Sequence, residues 1–150
     1  MSGFGAILML LFAGLAAGGM LVVTVDRLLV WPKMTVVEYA TDFRRHVKHL
    51  DPMMPIFISL SGIGVVLFAL SQSGVAAILA WVALGCLVLI MAASVTIAEP
   101  VNSKFRRLPE GTPPEGAERY RVFWSTFHTA RAVVSVTTFL LLVLAVAPAK

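Results

Sequence analysis

The chain has 150 residues, of which 59% are hydrophobic and only 13% are charged. A soluble domain carries about 25% charged residues, so this composition excludes an ordinary water-soluble globule. The net charge of +4 is not accompanied by any alternation of basic and aromatic residues, and we expect no nucleic acid among the partners. The composition instead predicts an integral membrane protein in contact with lipid.

Four long apolar stretches follow one another along the chain, over residues 3–25, 53–71, 75–98 and 122–147. Each is close to the ~20 residues that a helix needs to cross the hydrocarbon core. Backbone groups in lipid must pair within their own segment, which favours helices. The predicted fold is all-α: one integral membrane domain over 1–150, built as a four-transmembrane-helix bundle with a short amphipathic helix between the first and second spans. Closely spaced small residues favour a compact bundle and leave an oligomer open.

The distribution of basic residues predicts the topology. The turn at 72–74 is short and uncharged, whereas the polar connections 26–52 and 99–121 hold ten of the twelve Lys and Arg residues. With four crossings, both connections lie on one side, and the positive-inside rule makes that side cytoplasmic. We therefore expect a multi-pass protein of the cell (inner) membrane with both termini outside the cytoplasm.

The first connection contains a predicted helix over 36–50. Thr35 and Glu38 have the spacing of a capping box, and Asp51-Pro52 ends the segment. Two acids and two imidazoles share the face opposite its apolar residues: Glu38, Asp42, His46 and His49. Such a stripe is suited to binding iron, copper or zinc, or to proton transfer. The third interpretation is an interfacial helix with its apolar face on the bilayer.

The fourth stretch opens with a polar stripe on one side of a helix: Trp124, His128, Arg131 and Ser135. Arg131 keeps its proton and needs an anion, a carbonyl or a substrate oxygen nearby. Glu99 and Asn102, at the end of the third stretch, are its candidate neighbours, and the structural alternative is an Arg131–Glu99 ion pair. Since both polar connections share one side, we expect these groups at one end of the bundle, where a hydrophobic small molecule enters between helices.

Three short segments resemble a known family. Glu-Pro-Val-Asn at 99–102 resembles the Pro-x-Asn element that closes the third helix in the anthrone oxygenase-like family of small membrane proteins. The segment 124–131 is similar to its Trp-x-x-x-(His or Asn)-x-x-Arg element, and the entry to the second helix at 51–55 is similar as well. The resemblance implies a four-helix membrane protein related to enzymes that oxidise anthrones with O₂. It also implies four catalytic positions: Asn102, Trp124, His128 and Arg131.

Two classes of function follow. The first is an oxygenase or related oxidoreductase acting on a lipophilic phenolic or quinone-like compound, with Arg131 and Asn102 binding the substrate oxygen and His128 removing a proton. Such chemistry needs no flavin or haem, and the sequence leaves open whether iron or copper takes part. The second is a non-catalytic scaffold, a small transporter subunit, or a metal- or haem-binding protein with axial ligands among His46, His49 and His128.

Overall fold

The computed structural model describes residues 2–147, and positions 1 and 148–150 of the predicted domain lie outside the described residues. The helices follow in this order: α1 (Ser2–Val30), a 3-10 turn (Trp31–Lys33), α2 (Val36–His49), α3 (Met53–Ala69), α4 (Gly74–Ala93), a π-helical turn (Ser94–Ala98), α5 (Glu99–Arg107) and α6 (Ala117–Val146). No strand occurs within 2–147, so the predicted all-α fold is confirmed.

Four helical stretches are long and apolar enough to cross a membrane: Gly3–Lys33, Val36–Ala69, Gly74–Arg107 and Ala117–Val146. Within the second and third stretches, α2 and α5 are rich in charged residues, so the apolar crossings are α3 and α4. In the bundle, α1 packs against α3 and α6, and α4 packs against the same two helices. The chain is thus built as a multi-pass membrane protein.

The closest approach between helices joins α1 to α3. A Cβ added to Gly64 would lie 2.4 Å from the backbone nitrogen of Met9, and one added to Gly5 would lie 2.8 Å from that of Phe68. Ser61 Oγ donates to the carbonyl of Met9 over 3.2 Å at the same contact. Small residues allow helix backbones to meet in this way, which makes van der Waals packing effective in lipid.

The amphipathic helix α2 begins with the predicted capping box, in which Thr35 and Glu38 each bond to the other's backbone N–H. Its apolar face, however, packs against protein. Phe43 is fully buried, and its ring centroid lies 4.6 Å from that of Phe105 on α5 and 5.1 Å from that of Trp124 on α6. The interpretation of α2 as a helix resting its apolar face on the bilayer is therefore wrong, because α5 and α6 cover that face.

The two polar connections meet at one end of the bundle, as predicted. Arg45 on α2 forms an ion pair with Glu110 in the loop before α6, with 3.4 Å between nitrogen and oxygen. Arg121 at the start of α6 donates to the carbonyls of Trp31 and Met34 over 3.1 and 2.9 Å. These contacts gather the polar residues of the chain around the ends of α1, α3, α4 and α6.

Candidate functional site

An aromatic cluster forms the outer wall of the candidate site. The ring centroids of Trp31 and Trp124 lie 5.3 Å apart, and the imidazole of His46 lies 5.7 Å from each of them. Asp42 holds α2 in place, because its carboxylate accepts from Trp31 Nε1 over 2.7 Å and from Arg27 over 3.2 Å. The side of α2 that carries His46 is thereby fixed against the bundle.

A line of hydrogen bonds connects three helices behind this wall. Trp124 Nε1 on α6 donates to Asn102 Oδ1 over 3.0 Å, and Asn102 Nδ2 on α5 donates to Asp51 Oδ2 over 2.8 Å. Asn102 is only 1% exposed, so an amide that satisfies both neighbours is needed there. Asp51 lies in the turn just before α3, and its carboxylate is thus directed into the bundle.

His128 and Arg131 form the inner part of the site. The imidazole of His128 stacks on Trp124 with 4.6 Å between ring centroids. Its Nε2 lies 3.0 Å from the carbonyl oxygen of Met20, and its Nδ1 lies 3.3 Å from Arg131 Nη2. Since a carbonyl only accepts and a guanidinium only donates, these partners assign the proton to Nε2 and a lone pair to Nδ1. Arg131 Nη1 donates in turn to Ser94 Oγ on the π-helical turn, over 2.9 Å.

These residues surround a small cavity of about 40 Å³ between α1, α2, α3 and α6. Its walls are largely apolar, and four polar or ionisable side chains reach it: His46, Asp51, His128 and Arg131. Two buried nitrogens of these residues, His46 Nδ1 and Arg131 Nε, have no hydrogen-bond partner among residues 2–147. Buried polar atoms without a partner are rare in native proteins, so the cavity is suited to a ligand that carries polar atoms of its own.

Two groups that line the cavity and lie outside the crossing helices have altered pKa values. Burial, together with the positive charge of Arg27, lowers the pKa of His46 on α2 to about 4. Burial raises the pKa of Asp51 in the turn before α3, and the hydrogen bond from Asn102 opposes this effect. At neutral pH the cavity therefore contains an uncharged imidazole at His46 with an available lone pair.

The structure brings together the four positions that the resemblance implies, Asn102, Trp124, His128 and Arg131, in one chain of contacts. The predicted ion pair between Arg131 and Glu99 is not formed. Glu99 pairs instead with Arg106, which lies two turns later on the same face of α5. Ser94 and His128 orient Arg131. The acid that lies near Arg131 is Asp51, and not Glu99 as predicted from the sequence.

The metal site predicted on α2 is not assembled. Within residues 2–147, no group of three or more His, Cys, Asp or Glu side chains is arranged to hold a metal ion. Glu38 caps its own helix, Asp42 bonds to Trp31 and Arg27, and His46 reaches the cavity. His49 lies on the exposed outer face of α2, away from His46 and His128.

The model of the anthrone oxygenase family matches residues 43–141 of this chain. No curated protein and no solved structure gives a significant match. The matched range runs from the last turns of α2 to near the end of α6 and includes six residues of the site: His46, Asp51, Asn102, Trp124, His128 and Arg131. Because the family model covers about two thirds of the sequence, the chain belongs to the anthrone oxygenase family.

Proposed function

We propose that the protein oxidises a lipophilic anthrone, or a related phenolic ketone, with O₂ in the cavity between α1, α2, α3 and α6. The observation that carries this proposal is that two residues lining one largely apolar cavity, His46 and Arg131, each have a buried nitrogen (Nδ1 and Nε) without a partner within the described chain. Membership of the anthrone oxygenase family supports the same chemistry.

Arg131 binds and polarises the carbonyl oxygen of the substrate. Its two terminal nitrogens are already oriented, one toward Ser94 and the other toward His128, and Nε remains available. When a proton leaves the substrate carbon, negative charge develops on the carbonyl oxygen, and a preorganised cation stabilises that charge. Asp51, which lines the same cavity, accepts a hydrogen bond from a phenolic hydroxyl.

Of the two cavity histidines, His46 is the one with a ring nitrogen that lacks a partner within residues 2–147 and can accept a proton. Its Nδ1 is unpartnered in the part of the chain that the structure describes, and its lowered pKa keeps the ring uncharged at neutral pH. Both ring nitrogens of His128 are engaged, by Met20 and by Arg131. We therefore assign the base to His46 and give His128 the role of positioning Arg131, in place of the proton transfer that the sequence suggested.

The reaction balances with O₂ as its sole oxidant. Anthrone and O₂ give anthraquinone and water. One oxygen atom forms the new carbonyl at the former methylene carbon, and the other leaves as water with the two methylene hydrogens. O₂ accepts all four electrons, so no external reductant is required.

The basic connections support a site that faces the cytoplasm of a cell membrane. Residues 26–52 and 99–121, which carry most of the Lys and Arg, surround the cavity end of the bundle. Loops rich in Lys and Arg are retained on the cytoplasmic side, which would leave both termini outside.

The test uses detergent-purified protein with anthrone under O₂, and follows quinone absorbance and O₂ uptake together. We expect His46→Gln to lower the rate by about 100-fold or more, as removal of a general base does. The matched control is His49→Gln, which changes an exposed histidine of the same helix and should retain the wild-type rate. Equal rates for wild type and His46→Gln would exclude His46 as the base, and no turnover above the buffer rate would exclude the proposed reaction. Iron and copper analysis of the same preparation would decide whether a metal takes part.

A further inference from the structure

An apolar groove runs between α3 and α4 on the outside of the bundle, with a volume of about 160 Å³. Its floor is buried, since Ile58 is 4% and Leu87 3% exposed. Its rims are open, because Ser59 and Val88 are exposed. Helices α3 and α4 cross the membrane, so this groove faces the lipid.

The groove adjoins a second cavity of about 90 Å³, which in turn adjoins the candidate site. Ile58 and Met91 line both the groove and the second cavity. Asp51, Met54 and Arg131 line both the second cavity and the site cavity. The groove, the second cavity and the site cavity are therefore neighbours in series, from the lipid-facing side to the guanidinium of Arg131.

The polar end of this series of cavities is suited to a neutral head group. Arg131 and Asp51 carry opposite charges on its wall, so an oxygen that accepts from the guanidinium and a hydroxyl that donates to the carboxylate are both satisfied there. A carboxylate head would be repelled by Asp51 and an ammonium head by Arg131. From Met91 to Leu84 the groove extends over seven residues of α4, which is about 10 Å along the helix axis.

We propose that the groove between α3 and α4 holds the aliphatic chain of a membrane-borne phenol whose hydroxyl reaches Arg131 and Asp51 from the α4 side. This inference deepens the proposed function and rests on it, because Arg131 receives the polar head in both. It adds the substrate class: a phenolic head with an unbranched or isoprenoid tail that enters sideways from the lipid.

The experiment measures the binding of 4-alkylphenols, from methyl to octyl, to the full chain in nanodiscs of fixed lipid composition, by tryptophan fluorescence. The test variant is Gly62→Leu, because a Cβ at Gly62 would make only ordinary contact with Leu84, at 3.7 Å, and a longer side chain would fill the groove. The matched control is Gly85→Leu on α4, where nothing lies within 4 Å of an added Cβ. Partition into the lipid is common to all three proteins and cancels in the comparison.

Expressed against the concentration of ligand in the lipid, affinity should rise with chain length in wild type and Gly85→Leu until the groove is filled, because each methylene group adds packing contacts. Gly62→Leu should bind the methyl member as wild type does and lose the gain from longer chains. Equal chain-length dependence in all three proteins would overturn the inference, as would an equal loss for the methyl and octyl members in Gly62→Leu. Anthrone has no tail, so Gly62→Leu should oxidise it at the wild-type rate. If anthrone is oxidised but the alkylphenols show no dependence on the groove, this inference is refuted and the proposed function stands.

Discussion

The Nε2 nitrogen of His128 lies 3.0 Å from the carbonyl oxygen of Met20, so a side chain of α6 is tied to the backbone of α1. This contact also determines the role of Nδ1, which must then accept a hydrogen bond from the guanidinium of Arg131. Met20 lies outside the matched range 43–141, yet its backbone fixes the tautomer that orients the cation. Helix α1 is therefore part of the site through its backbone, which no side-chain motif could reveal.

Replacing His128 tests whether it positions Arg131 or transfers a proton. His128→Ala removes one hydrogen-bond partner from the Met20 carbonyl and one from Arg131, which keep Thr24 and Ser94. The loss of these two bonds should destabilise the protein by about 1–3 kcal/mol while lowering kcat/KM. His128→Asn supplies one donor and one acceptor, and we expect it to recover much of both losses. Thermal unfolding in detergent and anthrone turnover provide the two measurements. An Asn variant as inactive as the Ala variant, at wild-type stability, would instead make His128 the base.

Asn102 controls the ionisation of Asp51. Its hydrogen bond lowers the pKa of a carboxyl that burial raises, so Asn102→Leu should raise that pKa further. If Asp51 acts as a carboxylate, the acidic limb of the kcat/KM profile then moves to higher pH. Ser103→Ala on the same helix removes a bond to Glu99 and should leave the profile in place. An unshifted acidic limb in Asn102→Leu would show that ionisation of Asp51 does not limit the reaction.

The features that depend on hydropathy and local spacing were predictable from the sequence. The four apolar stretches predict the four crossings. The spacing of Thr35 and Glu38 predicts the start of α2, and the ten basic residues in two connections predict the shared polar end. Each follows from a rule that concerns neighbouring residues or the solvent. The family resemblance, carried by three short segments, is confirmed by the match over 43–141.

The features that depend on packing between helices were not predictable. The Asp51-Pro52 pair predicts only the end of the helix in the first connection, although an acid at the entrance to a crossing is itself a signal of a site. Ser94 gave no signal, because its contact with Arg131 arises from the π-helical turn that contains it. The acids and histidines of α2 lie on one side of the helix by their spacing. Because Phe43 is buried, however, α2 is oriented so that His46 reaches the cavity and His49 remains exposed.

Gly64 is the position where the bundle tolerates least change. A Cβ there would lie 2.4 Å from the backbone nitrogen of Met9, so α1 and α3 would have to move apart. We expect Gly64→Ala to destabilise the protein by about 1–3 kcal/mol and to lower its melting temperature in detergent. Gly62→Ala on the same helix meets only a side-chain carbon at 3.7 Å and should unfold near the wild-type temperature. Equal melting temperatures for the two variants would show that α1 and α3 are less tightly packed than this contact requires.

Cysteine labelling tests the arrangement on which a shared site depends. In a Cys86→Ser background, His49→Cys and Arg107→Cys place exposed thiols on the two polar connections, and Ser71→Cys places one in the turn between α3 and α4. The ion pair between Arg45 and Glu110 joins the two connections, so an impermeant maleimide should reach His49→Cys and Arg107→Cys from the same face of sealed vesicles. Ser71→Cys should react from the opposite face, since α3 crosses the membrane once between residues 49 and 71. Labelling of the first two positions from different faces would separate α2 from α5 and α6, and no cavity could then contain both His46 and Arg131.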